Sequence, residues 1–206
     1  MRILVWLAIL ALALFGRWRH DDAITAAIAP LALGFFFFVT PRALRGAIVA
    51  MAAAEAAAWW FGGASLMIDL LPALIAAFVG WLFARSLIRP RTPLIARAIG
   101  AMEGEARLRE PAIARYAWRL TLLWAMFQTA LTLFCLLCVL HDRGLLTAAA
   151  LPPSRLFGTT LLPLAVAALF FGEFLLRPLL LPQAPRHTLA GFLTGLGRVW
   201  PSLIEP

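Results

Sequence analysis

The stretch FARSLIRPRTPLIARAIGAMEGE, residues 83–105, together with RYAWRLTLLWAMF, residues 115–127, decides how the chain is organised. Between Arg85 and Thr121 lie eight of the eighteen basic residues, all of them arginine, and three of the ten acidic ones. Long apolar runs with few charges flank this stretch on both sides. The pattern is typical of a cytoplasmic loop between membrane-spanning helices, because such loops carry an excess of basic residues.

The composition argues against an ordinary soluble domain. Of the 206 residues 63% are hydrophobic and only 14% are charged, and the mean hydropathy is +0.90. A soluble domain is about half apolar and about a quarter charged. The net charge of +8 would suggest nucleic acid in a soluble protein. In a membrane protein it indicates contact with anionic lipids, so we expect the bilayer as a partner and no nucleic acid.

The apolar runs predict an all-α fold, a polytopic bundle of about six transmembrane helices forming one membrane domain, 1–206. The first run resembles the hydrophobic region of a signal peptide, but no small-residue cleavage site follows it, so it is predicted to be a short membrane helix. The predicted spans are Ile3–Phe15, Ala23–Val39, Ala43–Phe61, Leu66–Ile88, Ala117–Leu140 and Leu156–Leu181.

Two short amphipathic helices are predicted at the membrane interface. One lies in the arginine-rich loop 89–116 and covers Leu94–Met102, and the other lies in the C-terminal tail 182–206. Pro111 is placed to be the first residue of the helix that continues into the fifth span. Gly62–Ser65 is predicted to be a short turn between the third and fourth spans.

The distribution of arginine predicts the orientation of the bundle. With loop 89–116 in the cytoplasm, fourteen of the eighteen arginines lie inside. The four that remain outside are Arg17, Arg19, Arg143 and Arg155. The positive-inside rule therefore predicts that both termini are cytoplasmic.

Charged residues near one end of three spans form a candidate functional cluster. Glu173 precedes Arg177 by one helical turn, which is the favourable order for an ion pair. Arg85 and Arg119 approach the same boundary from the fourth and fifth spans. The cluster is interpreted either as a site for an anion or lipid phosphate, or as a structural staple between helix ends with arginines that reach the interface.

Two polar residues are predicted to lie deep in the membrane. Glu55 lies about 18 Å along the third span from its cytoplasmic end, and Gln128 in the fifth span is its candidate partner. A proton relay needs more groups of this kind in a chain, so the sequence favours a structural role. The same helix carries an alanine-rich face that favours close helix packing, formed by Ala50, Ala53, Ala54 and Ala57.

The sequence shows no pattern typical of a metal site, a cofactor site or a nucleophilic catalytic site. Cys135 and Cys138 lie in an apolar run and are expected to pack in the core as small hydrophobic residues. The histidines have no metal-ligand spacing, and no glycine-rich phosphate loop follows a strand. We therefore expect neither a metal nor a cofactor.

The central motifs carry a family resemblance. Arg85-Ser-Leu, Arg91-Thr-Pro-Leu-Ile-Ala-Arg97 and the block from Tyr116 through Arg119, Thr121 and Trp124 to Phe127 resemble a family of small bacterial inner-membrane proteins. That family is encoded in xanthomonadin and aryl-polyene pigment gene clusters. Its members also end with a glutamate and an arginine in the last span and an Arg-His pair after it, matching Glu173, Arg177, Arg186 and His187.

The resemblance implies an accessory role in the inner membrane beside acyl-carrier-dependent polyene assembly, with an acyl carrier protein or pathway enzymes as partners. It implies a functional cluster of Arg85, Arg97, Arg115, Tyr116, Arg119, Trp124, Glu173, Arg177 and His187. Members are sometimes labelled ketosynthase, but a condensing enzyme needs a cysteine activated by histidine, which this sequence does not provide.

Two other functions stay open on the sequence alone. One is a membrane acyl or glycosyl transferase that uses Glu173 or Glu103. The other is a small transporter or export subunit, for which six spans suffice, although transporters pair more polar groups at mid-depth than Glu55 and Gln128.

Overall fold

The computed structural model describes residues 42–88, 90–147 and 150–180, with single positions at Pro30, Leu31, Leu33, Gly34, Phe37, Gly191 and Thr194. This part of the chain is all-helical and contains no β-strand. The predicted span Ile3–Phe15 lies outside the described residues. Only isolated helical positions are described within Ala23–Val39 and within the C-terminal tail.

The first long helix, α1, covers Arg42–Ser86 and is interrupted at Gly63. Gly63 has φ of 67° and ψ of −162°, a backbone conformation that favours glycine. Ala58 packs against Met67 in one buried cluster. Nine residues of straight helix span about 13.5 Å, too far for such a contact, so the chain bends sharply at Gly63. The bend falls within the predicted turn Gly62–Ser65.

The segment predicted to be a loop at 89–116 is mostly helical. Helix α2 covers Leu94–Glu103, a short 3-10 helix covers Glu105–Arg109, and helix α3 covers Pro111–Asp142. The amphipathic helix and the start at Pro111 are thus confirmed, because proline is preorganised for the first helical position. The role of 89–116 as the connection between the fourth and fifth spans stays a prediction.

The last described helical run begins with the short helix α4, Ser154–Leu156, followed by a π-helical segment, Phe157–Leu161. Helix α5, Leu162–Leu180, continues it. The π-helical segment lies close to the proline inside α1: a Cβ atom built on Gly158 would be 2.6 Å from Cγ of Pro72. Glycine therefore permits this close approach.

Three helical segments are long and apolar enough to cross a membrane. They correspond to the fourth, fifth and sixth predicted spans, with shifted ends, and they indicate a membrane protein. These segments are Gly63–Ser86, Pro111–Asp142 and Ser154–Leu179.

The chain forms two compact units. The first contains Met1–Ile75 and Leu133–Gly158, and the second contains Ala76–Thr132 and Thr159–Pro206. The bend in α1 belongs to the first unit, and all of α2 belongs to the second.

Candidate functional site

A buried ion pair with a tyrosine forms the centre of the candidate site in the second unit. Oε1 of Glu173 accepts a hydrogen bond from Nε of Arg177 at 2.9 Å and another from the hydroxyl of Tyr116 at 2.5 Å. The side chains of Glu173 and Arg177 are only 9% and 14% exposed. The predicted pair one turn apart in α5 is confirmed, and Tyr116 adds a link from α3.

The sequence placed Arg85 and Arg119 in the same cluster, and their described contacts lie outside this ion pair. The guanidinium carbon of Arg85 lies 4.9 Å from the ring centre of Trp81, one turn earlier in α1. Arg119 is exposed on α3 and forms no ion pair with another described residue. That these two arginines belong to the cluster therefore stays a prediction.

Two hydroxyl groups anchor the beginning of α2. The first N–H groups of a helix have no partner within the helix. The N–H of Leu94 donates to Oγ of Ser86 at 3.0 Å, and the N–H of Ile95 donates to Oγ1 of Thr121 at 3.3 Å. Both hydroxyl-bearing side chains are buried. The start of α2 is therefore tied to the end of α1 and to α3.

Apolar contacts complete this attachment. Ala96 and Ile99 of α2 are buried in one cluster with Ile113 and Ala117 of α3. Ala96 is more buried than Ala98 on this helix. One face of α2 therefore packs against protein.

Trp124, a further member of the predicted cluster, has a packing role. Its side chain is buried, and its ring stacks on Phe83 with ring centres 5.7 Å apart. Phe127 contacts the same ring edge-on at 6.2 Å. Ser86, Thr121 and Trp124, all quoted for the family resemblance, thus hold α1, α2 and α3 together within this unit.

Several arginines of the central segment point to the outside of the protein. Arg109, Arg115 and Arg119 are exposed and form no ion pair with another described residue. We call these three residues the arginine surface. Arg97 is partly exposed on α2. A surface of this kind attracts anions.

Two of the three glutamates of the central segment are already paired. Arg107 lies between them, with Nε 3.6 Å from Glu103 and Nη1 2.8 Å from Glu110. Glu103, one candidate acid for a transferase, is therefore held in a local ion pair. The third glutamate, Glu105, is exposed.

The first unit contains an ion-pair cluster that the sequence analysis did not identify. Asp69 is buried, with Oδ2 3.4 Å from Nη2 of Arg143 and Oδ1 3.3 Å from Nε of Arg155. Oδ2 of Asp142 accepts the N–H of Ser154 at 2.7 Å, which closes the connection between α3 and α4. The sequence feature that could have revealed this cluster is the position of Asp69 at the start of a predicted span, where a charge needs a partner.

The other predicted site residues have separate outcomes. Glu55 and Gln128 are both buried, but neither oxygen of the Glu55 carboxyl has a hydrogen-bond partner among the described residues. Glu55 and Gln128 belong to different units, so their expected pairing stays a prediction. Cys135 and Cys138 are completely buried free thiols, as expected for core residues. His187 lies outside the described residues.

Comparison of the chain with protein-family models, with curated proteins and with solved structures finds no match. Within the ranges 42–88, 90–147 and 150–180, no group of three or more His, Cys, Asp or Glu residues is placed to hold a metal ion.

Proposed function

We propose that this chain is an accessory inner-membrane protein of an aryl-polyene or xanthomonadin-type pigment pathway, and that the arginine surface is its contact with an anionic partner. The partner is a lipid head group, an anionic acyl substrate or an acyl carrier protein of the pathway. The observation that carries the proposal is the arginine surface itself: Arg109, Arg115 and Arg119 are exposed and unpaired with any described residue.

The topology in this proposal is a multi-pass bundle of six spans with both termini in the cytoplasm. The positive-inside bias supports it, because fourteen of the eighteen arginines then lie on the cytoplasmic side. The three apolar helices long enough to cross a membrane are consistent with it. In this arrangement the arginine surface lies close to the cytoplasmic head groups.

The positive net charge of the central segment supports an anionic partner. The stretch from Arg85 to Thr121 contains eight arginines and three glutamates, a net charge of +5. Arg107 pairs with two of the glutamates, so the acidic residues are concentrated around one arginine. Each arginine near an anionic membrane contributes about 1 kcal/mol of attraction, and several together give strong attraction without a dedicated pocket.

The pathway assignment rests on the resemblance of the central motifs. The role requires no covalent step by this chain, which agrees with the burial of both thiols. It also agrees with the contacts of Glu173, whose Oε1 accepts hydrogen bonds from Arg177 and Tyr116.

The proposal predicts the effect of reversing charge on the arginine surface. In a strain lacking the gene, complementation with Arg115→Glu combined with Arg119→Glu is expected to reduce extracted pigment severalfold at normal protein level. The two lost cations alone remove about 2 kcal/mol of attraction to an anionic surface. Extracted pigment normalised to the amount of inserted protein is the measurement.

Two matched variants complete this experiment. Arg115→Lys combined with Arg119→Lys keeps both charges and is expected to keep pigment near the parental level. Cys135→Ala combined with Cys138→Ala is expected to leave pigment nearly unchanged. Loss of pigment in the cysteine variant at normal protein level would instead indicate thiol chemistry, and full pigment in the deletion strain would remove the pathway assignment.

A further inference from the structure

The side chain of Glu55 in α1 ends in a buried carboxyl group. The residue is 2% exposed, and neither carboxyl oxygen has a hydrogen-bond partner among the described residues. It lies on the same face of α1 as Ile48 and Ala58, which are also buried. The carboxyl group of Glu55 therefore shares this face with buried apolar residues.

Two charged residues of the same unit that the structure describes, Arg45 and Asp69, have contacts elsewhere. Arg45 lies ten residues earlier in α1, about 15 Å along the helix, with its guanidinium 5.1 Å from the ring centre of Phe37. Asp69 is paired with Arg143 and Arg155. No described cation is paired with Glu55.

A carboxyl group in this position has three ways to avoid the cost of a buried charge. It can pair with a cation, accept several hydrogen bonds, or bind a proton, and an unpaired ionised carboxylate in an apolar interior is by far the least favourable state. The first two ways need a cation or a hydrogen-bond donor at the carboxyl oxygens, and none of the described residues provides one. A water or organic ligand needs open space beside the oxygens, whereas both oxygens are enclosed. A proton needs no space.

We propose that Glu55 is a proton-binding site, and that its side chain is a neutral carboxylic acid in the folded protein at neutral pH. The proton leaves only when water or a cation reaches the oxygens, so proton release is coupled to movement of α1 away from the atoms that cover Glu55. The inference stands on the burial of Glu55 and does not depend on the proposed function.

Infrared spectroscopy of the full chain in vesicles of phosphatidylcholine and phosphatidylglycerol tests this proposal. At neutral pH, the spectrum of the parent minus that of Glu55→Gln is expected to show the carbonyl band of one protonated carboxyl group. The matched control Glu173→Gln is expected to remove a carboxylate band instead, because Glu173 is paired with Arg177. A carboxylate band lost with Glu55→Gln would overturn the proposal.

A second measurement needs no variant and covers the case in which Glu55→Gln fails to accumulate. Dicyclohexylcarbodiimide reacts with a protonated carboxyl group: the acid proton moves to a carbodiimide nitrogen, the carboxyl oxygen bonds to the central carbon, and the acyl group then transfers to nitrogen. Movement of α1 away from the atoms that cover Glu55 also admits the reagent, so mass mapping of the parent protein after prolonged treatment is expected to place the stable adduct on Glu55. Adducts on other carboxyl groups without one on Glu55 would count against the proposal.

Discussion

Replacing Glu173 with alanine is expected to destabilise the protein by about 3 kcal/mol, the range found when one partner of a buried ion pair is removed. Arg177 is only 14% exposed, so its guanidinium would keep little access to water and would lose its carboxylate partner. Tyr116 would lose its hydrogen-bond acceptor in the same variant. The measurement is the unfolding free energy of the purified protein in detergent micelles.

Three further variants show whether the buried pair causes this effect. Glu173→Gln keeps a hydrogen-bond acceptor and is expected to cost less than Glu173→Ala. Tyr116→Phe removes only the hydroxyl, and its effect is expected to be non-additive with Glu173→Ala because both changes affect one contact. Glu110→Ala breaks an ion pair whose carboxylate is 41% exposed and is expected to cost less than about 1 kcal/mol. An equal loss in Glu110→Ala and Glu173→Ala would contradict the account.

The second large effect is expected at Gly158. In Gly158→Ala the new methyl group would lie 2.6 Å from Cγ and 3.0 Å from Cβ of Pro72. The proline ring is rigid and belongs to α1, so the π-helical segment must shift. Overpacking of this kind costs about 1–3 kcal/mol. The same unfolding measurement applies.

Gly172 in α5 provides the matched control. A Cβ atom at Gly172 meets no atom within 4 Å, and the residue is helical. Gly172→Ala is therefore expected to leave stability unchanged or to raise it by up to about 1 kcal/mol, as alanine favours helix over glycine. Destabilisation by both alanines to the same extent would show that contact with Pro72 is not the cause.

Local features of the structure were predictable from the sequence. The start of α3 at Pro111 follows from the fixed φ of proline, and α2 follows from apolar residues at helical spacing. The pair of Glu173 with Arg177 follows from a separation of four residues. Each of these depends only on neighbours along the chain.

Contacts between helices were not predictable in the same way. Tyr116 and Glu173 are 57 residues apart, and Asp69 is 74 and 86 residues from its two arginines. Charges within predicted spans need partners, but a sequence does not show which partners they have. The packing and rotation of the helices determine the partners, and neither can be read from a single sequence.

The alanine-rich part of α1 illustrates a wrong choice of face. The sequence favoured the face formed by Ala50, Ala53, Ala54 and Ala57 for close packing. Ala54 is half-buried, and the other three residues are exposed. The buried face carries Ile48 and Glu55. Alanines occur on several sides of this helix, so the apolar pattern does not select one face.

The central claim is that the arginine-rich segment around α2 lies in the cytoplasm of a multi-pass membrane protein. Reporter fusions of alkaline phosphatase and of green fluorescent protein test it most directly. We expect cytoplasmic signals after Glu105 and Pro206, and external signals after Ser65 and Ser154. High phosphatase activity after Glu105 would contradict the account, because fourteen of the eighteen arginines would then lie outside the cell membrane.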